Sequence, residues 1–309
     1  MTHQRLQRLQ VVGVRYRGTH PATDDERGLD AYAASGVYSA AGVPFDIVEP
    51  RISREERTDD VVGNIGTLNG RIAEVVAAAG RSRAGILMTG GDCTHATGVV
   101  GGLQGAHGPD LRLGLVWFDA HGDFNTPRTS TSGMLGGMPV AVCAGLAHPT
   151  WRERSHIAAP LPTDRIVLVN VRNLDPAEET LIRATDATIA AISDGLPGED
   201  LKEAVARLSE RCDTVYLHID ADILDQAFVP SHGTKEANGP NVEQTLAAID
   251  TVMATGKVAA LALVSIYNRG EAGKISVRSG IELLRGGLQA WARHGTVSLG
   301  RVVQTSRDA

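Results

Sequence analysis

Long hydrophobic runs are missing from this 309-residue chain. None approaches the roughly 18 apolar residues of a membrane-spanning helix, so no membrane partner is expected. Cysteine is scarce. Cys93, Cys143 and Cys212 are odd in number and widely spaced, which argues against a disulfide framework and for a reduced, cytoplasmic chain. An excess of basic charge is lacking too. Thirty Lys and Arg stand against 36 Asp and Glu, a formal charge of −6, which is a poor footprint for nucleic acid. The start, "MTHQRLQRLQVVGV", has only a short apolar stretch, followed by "RYRGTH", and so lacks a secretory pattern. No low-complexity linker or internal repeat interrupts the chain. One domain over 1–309 is therefore the expectation, and 42% hydrophobic content is enough for a sizeable core.

Apolar runs alternate with helical patterns. Eight strands are expected at 9–14, 45–50, 84–91, 111–121, 165–171, 187–193, 214–220 and 258–266. Helical periodicity covers Asn64–Ala79, Ala177–Arg183, Gly198–Arg211, Val242–Thr255 and Val277–His294, while "REERTDDVVG" (54–63) reads as a charged loop or helix start. Most strands are continuous apolar runs, as in parallel sheets covered on both faces. The fold class is therefore α/β, a doubly wound parallel sheet. Such sheets bind ligands beyond the carboxyl ends of their strands. Three ends carry unusual chemistry: "TGGDCTH", "FDAHGDFN" and "HIDADILD".

Side chains two apart face one way along an extended chain, so Asp119, His121 and Asp123 should converge, and likewise Asp220 and Asp222. A single D-x-D is commonly a cap or turn. Two such clusters, each after an apolar run, point to metal, because unpaired carboxylates buried as ions cost several kcal/mol each. Four carboxylates and a histidine exceed the tetrahedral set of one structural zinc and suit a two-metal cluster with a bridging water.

"GGDC", "FDAHGDFNTP", "SGMLGGMP" and "HIDADILD" together resemble the arginase/agmatinase/formiminoglutamase family, the ureohydrolases, from about Gly90 through Thr234. The resemblance implies a three-layer α/β/α fold around an eight-stranded parallel sheet. It also implies two divalent metals, usually manganese, and a homo-oligomer, usually a trimer or hexamer, acting on a small molecule. It makes Asp119 and Asp220 the carboxylates shared by both metals. Asp123 becomes a ligand of the first metal that also orients the bridging hydroxide, and His121 and Asp222 become ligands of the second. Asn125, Ser132 and Asp175 fall where arginases contact the amino-acid end of the substrate, and Thr234 where the guanidine end lies.

Four positions depart from the family pattern. Cys93 stands where a histidine ligand is expected. Gly136 replaces a proton-shuttling histidine, Met134 a carboxylate-binding asparagine, and Ser265 the glutamate that pairs with a guanidinium. Cys93 is either a thiolate ligand or a buried thiol. As a ligand it tilts the site from manganese toward zinc, iron or cobalt. Glu236 and Glu271 are candidates to replace the missing glutamate. His95 and His232 are candidate proton donors, and His218 shares the face of Asp220. The resulting expectation is a dinuclear hydrolase of a linear guanidine, amidine or amide through a metal-bridging hydroxide. Two alternatives are an N-hydroxyguanidine amidinohydrolase of the N-hydroxy-L-arginine type and a catalytically silent subunit or ligand sensor.

Overall fold

A computed structural model describes residues 3–22, 28–192 and 198–297. Its strands are β1 (His3–Gln4), β2 (Leu9–Val14), β3 (Tyr16–Arg17), β4 (His20–Pro21), β5 (Phe45–Val48), β6 (Gly85–Gly90), β7 (Leu113–Phe118), β8 (Ile166–Val169), β9 (Thr188–Ala191), β10 (Glu199–Asp200), β11 (Thr214–Asp220), β12 (Val258–Val264) and β13 (Thr296–Val297). The α-helices are α1 (Gly28–Ser35), α2 (Val61–Arg81), α3 (Ala96–His107), α4 (Pro139–Cys143), α5 (Pro149–Arg154), α6 (Pro176–Arg183), α7 (Leu201–Arg211), α8 (Val242–Met253) and α9 (Gly270–His294).

Nine strands form one parallel sheet in the order β10-β9-β8-β7-β11-β12-β6-β2-β5. The eight expected strands are all present, β2 and β11 over the expected residues and the others somewhat shorter than their apolar runs. The ninth is the two-residue edge strand β10, at the start of the segment expected to be helical from Gly198. Ser193, the last residue of the expected 187–193 strand, lies outside the described residues. Every residue of β7 and β11 is buried, whereas Phe45, Ile47 and Val48 of edge strand β5 are exposed. The continuous apolar runs thus mark the centre of the sheet, where both faces are covered.

Two cores flank the sheet. One gathers α1, α7, α8 and α9 through Leu29, Leu208, Ile249 and Leu284. The other gathers α2 and α3 through Ile72, Val76, Val99 and Leu103. Helix starts follow local capping chemistry: the Asp60 side chain accepts from Gly63 N at 2.9 Å, so α2 begins inside the charged 54–63 stretch.

The sequence reading missed α3. Its sequence, "ATGVVGGLQGAH", is too rich in glycine to read as a helix from propensity. The glycines serve packing instead. A Cβ on Gly101 would stand 1.9 Å from the Ser155 carbonyl oxygen, and one on Gly102 2.4 Å from Val76 Cβ. Burial against α2 and the α5 turn therefore outweighs intrinsic preference. At exposed Gly105 the nearest atom to an added Cβ is 3.4 Å away.

Gly101→Ala is expected to destabilise the protein by about 1–3 kcal/mol, because a backbone oxygen must move. Gly105→Ala is expected to be neutral or to stabilise by up to about 1 kcal/mol. Urea unfolding of the two variants checks this, and equal effects would contradict the packing explanation.

Candidate metal centre

Strands β7, β11, β12 and β6 lie side by side in mid-sheet, and their carboxyl ends form the floor of a cavity of about 500 Å³. Asp119 and Asp123 follow β7, Asp220 ends β11, Ser265 follows β12, and Cys93 follows the glycine turn after β6. Three groups of side chains stand close enough to share an ion: Cys93 with Asp119 and Asp220, Asp119 with His121 and Asp222, and Asp220 with Asp222 and His232.

The convergence does not come from a continued pleat. The strand stops at Phe118, and Asp123 sits in the left-handed region at φ +46°. Beyond Asp220 the chain turns into a 3-10 helix at Ala221–Ile223, with the Asp220 carboxylate accepting from Asp222 N at 3.0 Å. Turns whose amides bond to the carboxylates themselves bring the groups together. Asp119 Oδ1 likewise accepts from His121 N at 2.7 Å, and Asp222 Oδ1 from Ala120 N at 3.2 Å. Asp123 is buried and lines the cavity but lies outside the three close groups.

His121 Nδ1 is 3.2 Å from both Asp119 Oδ1 and Asp222 Oδ2, and its Nε2 is 3.4 Å from Glu236 Oε1. Cys93 Sγ donates to Asp220 Oδ2 at 2.8 Å and is 3.8 Å from Asp119 Oδ2. The donor set of carboxylates, imidazoles and one sulfur fits a pair of divalent ions. His232 Nε2 lies 3.0 Å from Asp220 Oδ1, so a second imidazole stands at the edge of the same cluster.

The other predicted residues sort by position. Asn125, Ser132, Met134, Thr234 and Ser265 all line the cavity. Met134 is 53% exposed, so it forms an apolar rim. Thr234 Oγ1 donates to Asp222 Oδ2 at 3.2 Å, and Ser265 Oγ to Asp220 Oδ2 at 2.7 Å. Both hydroxyls are thus committed to the carboxylates. Asp175 is not on the wall. It accepts from Thr131 Oγ1 at 2.7 Å and Asn125 Nδ2 at 3.1 Å, ordering the loop beneath Ser132 and capping α6.

His95 corrects the expectation that it donates protons in the cavity. It is fully buried, with Nδ1 accepting from Asp92 N at 3.1 Å and Nε2 3.0 Å from the Gly18 carbonyl, so both ring nitrogens are taken by backbone. Glu271 also fails as a replacement acid: its side chain is 86% exposed and pairs with Lys274. Glu236 stands beside His121, held by Asn173 Nδ2 at 2.8 Å, rather than on the cavity wall.

Two features escaped the sequence reading. The β3–β4 hairpin, within "RYRGTH", forms one wall through Arg17, Gly18, Thr19 and His20, with Arg17 5.1 Å over the Tyr267 ring. Strands of two residues leave no periodic signal. Tyr216 bonds to His218 beneath the floor. Its signal was present, since Tyr216, His218 and Asp220 alternate onto one face of β11.

Residues 13–286 match the family model described as the Arginase family. The chain is 34% identical over 168 residues to an arginase of Bacillus caldovelox, covering 53% of this chain and 55% of that protein. It is 27% identical over 227 residues to an arginase of Bacillus subtilis (strain 168), covering 72% and 76%. The match to the first of these relatives thus spans little more than half its length. The solved arginase from Bacillus cereus superposes with a TM-score of 0.77 at 24% identity, over 92% of this chain and 98% of that one. Formimidoylglutamase from Bacillus subtilis subsp. subtilis str. 168 superposes with a TM-score of 0.68 at 14% identity, over 94% and 89%. The chain belongs to the arginase family.

Without metal the site binds protons. Burial, then neighbouring carboxylate charge, raises Asp119 and Asp123 well above the usual carboxylate range. Burial opposes charge on His121, but hydrogen bonds and charge from Asp119 and Asp222 win and raise it to about 12. Each group holds its proton more tightly folded than unfolded, so its contribution to stability is lost as pH rises, for His121 from its ordinary value of 6.5 upward. Two groups act in the opposite sense, His218 held low by burial and Asp220 held low by His232 and Cys93 against its own burial. Their contributions are lost only on acidification below 6.5 and 3.8. The melting temperature of metal-free protein should therefore fall between pH 6.5 and about 9, and that of metal-loaded protein should stay nearly level. Equal slopes in differential scanning calorimetry would contradict metal compensation of the carboxylates.

Proposed function

We propose that this chain is a metal-dependent hydrolase of a linear, non-peptide C–N bond. Cys93, Asp119, His121, Asp123, Asp220 and Asp222 would hold two divalent ions, manganese or, with the sulfur engaged, zinc, iron or cobalt. The observation that carries this reading is the set of three overlapping ligand groups on adjacent strand ends, in a chain of the arginase family. When bound, the metal pair acidifies water and neutralises charge that develops during attack on the substrate carbon.

The chain's own residues supply the rest. Asp123, buried and held at φ +46°, presents a carboxylate at the cavity floor to orient the attacking water. His232 is the histidine that faces the leaving group. Its Nδ1 accepts from Thr234 N at 3.1 Å, which leaves the proton on Nε2, the atom facing the site. That neutral N–H is placed to hydrogen-bond the leaving nitrogen, and the proton this nitrogen takes up is the one the attacking water releases through Asp123. The walls from Arg17 to His20 and the Met134 rim enclose the substrate, with Asn125 and Ser132 offering polar contacts.

The head of the pocket selects against a cation. Ser265 stands where a guanidinium would need a carboxylate, and its hydroxyl is already spent on Asp220. A head less basic than a plain guanidine fits better: a neutral amide, or an N-hydroxyguanidine, whose conjugate acid gives up its proton far more readily. The second of these is the alternative reading that the Ser265 observation favours.

In a panel of amides, amidines, guanidines and N-hydroxyguanidines, the amides or N-hydroxyguanidines should show at least about tenfold higher kcat/KM than arginine or agmatine, about 1.4 kcal/mol of discrimination. His232→Asn should lower kcat by about tenfold on the best substrate, the scale of one hydrogen bond lost in the transition state. Preference for arginine, or an unimpaired His232→Asn variant, would contradict these assignments.

A further inference from the structure

We propose that Tyr216 and His218 are positioning residues that aim an N–H at the Cys93 sulfur and thereby fit this corner of the site to a thiophilic divalent ion such as zinc or cobalt. The inference rests on the metal reading above and goes beyond it, because it assigns the metal preference to residues outside the ligand set.

His218 is completely buried, with Nδ1 2.7 Å from the Tyr216 hydroxyl and Nε2 3.4 Å from Cys93 Sγ. Two arrangements are conceivable. If Nδ1 carried the proton, it would donate to Tyr216, and the buried phenolic proton would have no acceptor. The bare Nε2 would then face a thiol whose own proton already goes to Asp220 Oδ2 at 2.8 Å. If Tyr216 donates to Nδ1 instead, Nε2 carries the proton and donates to sulfur. Every proton in the line Tyr216–His218–Cys93–Asp220 then has an acceptor, as buried polar groups require.

The ring is also held rigidly. It stacks on Trp117 at 3.7 Å between centroids with planes 9° apart, and Trp117 and His218 are register partners on β7 and β11. The same Trp117 donates its indole N–H to Asp119 Oδ2 at 3.0 Å. One indole therefore orients a carboxylate ligand and the histidine behind the sulfur ligand. A cysteine serving only as packing needs no imidazole on its sulfur. An N–H on a ligating sulfur orients it and tunes the ion, and losing such a partner typically costs 10–100-fold in metal affinity.

The test uses the full-length protein stripped of metal and titrated with cobalt(II) alone, reading bound cobalt and the near-ultraviolet sulfur-to-cobalt charge-transfer band. The band should be present and should vanish in Cys93→Ser. Tyr216→Phe keeps shape but frees the tautomer, and His218→Phe keeps the stack but removes the N–H. Both should shift the band and weaken cobalt and zinc binding about 10–100-fold, with manganese binding changed far less. Tyr216→Phe serves alone if His218→Phe fails to fold. Bound cobalt with no charge-transfer band, or a band and affinity unmoved in Tyr216→Phe, overturns the relay while leaving the metal reading standing. No cobalt bound at all overturns both.

Discussion

The structure depends on one electrostatic constraint: Asp119, Asp220 and Asp222 are each at least 95% buried at the ends of neighbouring strands. Their mutual repulsion and desolvation favour no folded state unless protons or cations compensate them. The surrounding chain is arranged around that need. Backbone amides of Ala120, His121 and Asp222, the Trp117 indole, and the hydroxyls of Thr234 and Ser265 all donate to these carboxylates. So dense a set of donors orients the oxygens, but only a positive charge offsets theirs.

Much of this was legible in the sequence, and the limits have physical causes. The apolar runs of β7 and β11 identified the central strands, because strands covered on both faces have no polar alternation to hide them. The ligand types at their ends were legible too. The geometry was not: alternation predicts that Asp119, His121 and Asp123 converge along a pleat, whereas side-chain-capped turns bring Asp119 and His121 together and the left-handed Asp123 lies outside the close groups. Alternation did apply inside β11, where Tyr216, His218 and Asp220 share a face. Glycine-rich α3 was invisible because close approach to neighbouring backbone, which no local pattern records, decides its residues. His95 misled for a related reason: a histidine beside a ligand motif reads as chemistry until its ring is seen clasping Asp92 and the β3–β4 hairpin.

The departures from the family pattern form a connected set. Cys93 in place of a histidine is accompanied by an imidazole behind it, His218, and by a second imidazole, His232, on the loop above Asp220. Ser265 in place of an acid removes the partner of a cationic head and spends its hydroxyl on Asp220. On the proposed reading, no carboxylate stands at Ser265 to hold a cationic head, and His218 and His232 sit beside the sulfur and Asp220 of the proposed metal site.

The most direct test of the central claim is elemental analysis of the full-length protein, purified separately from manganese- and zinc-supplemented cultures. About two divalent ions per chain are expected in at least one preparation. A folded protein with essentially no metal from either culture would contradict that claim, because the buried carboxylates would then be compensated by protons alone.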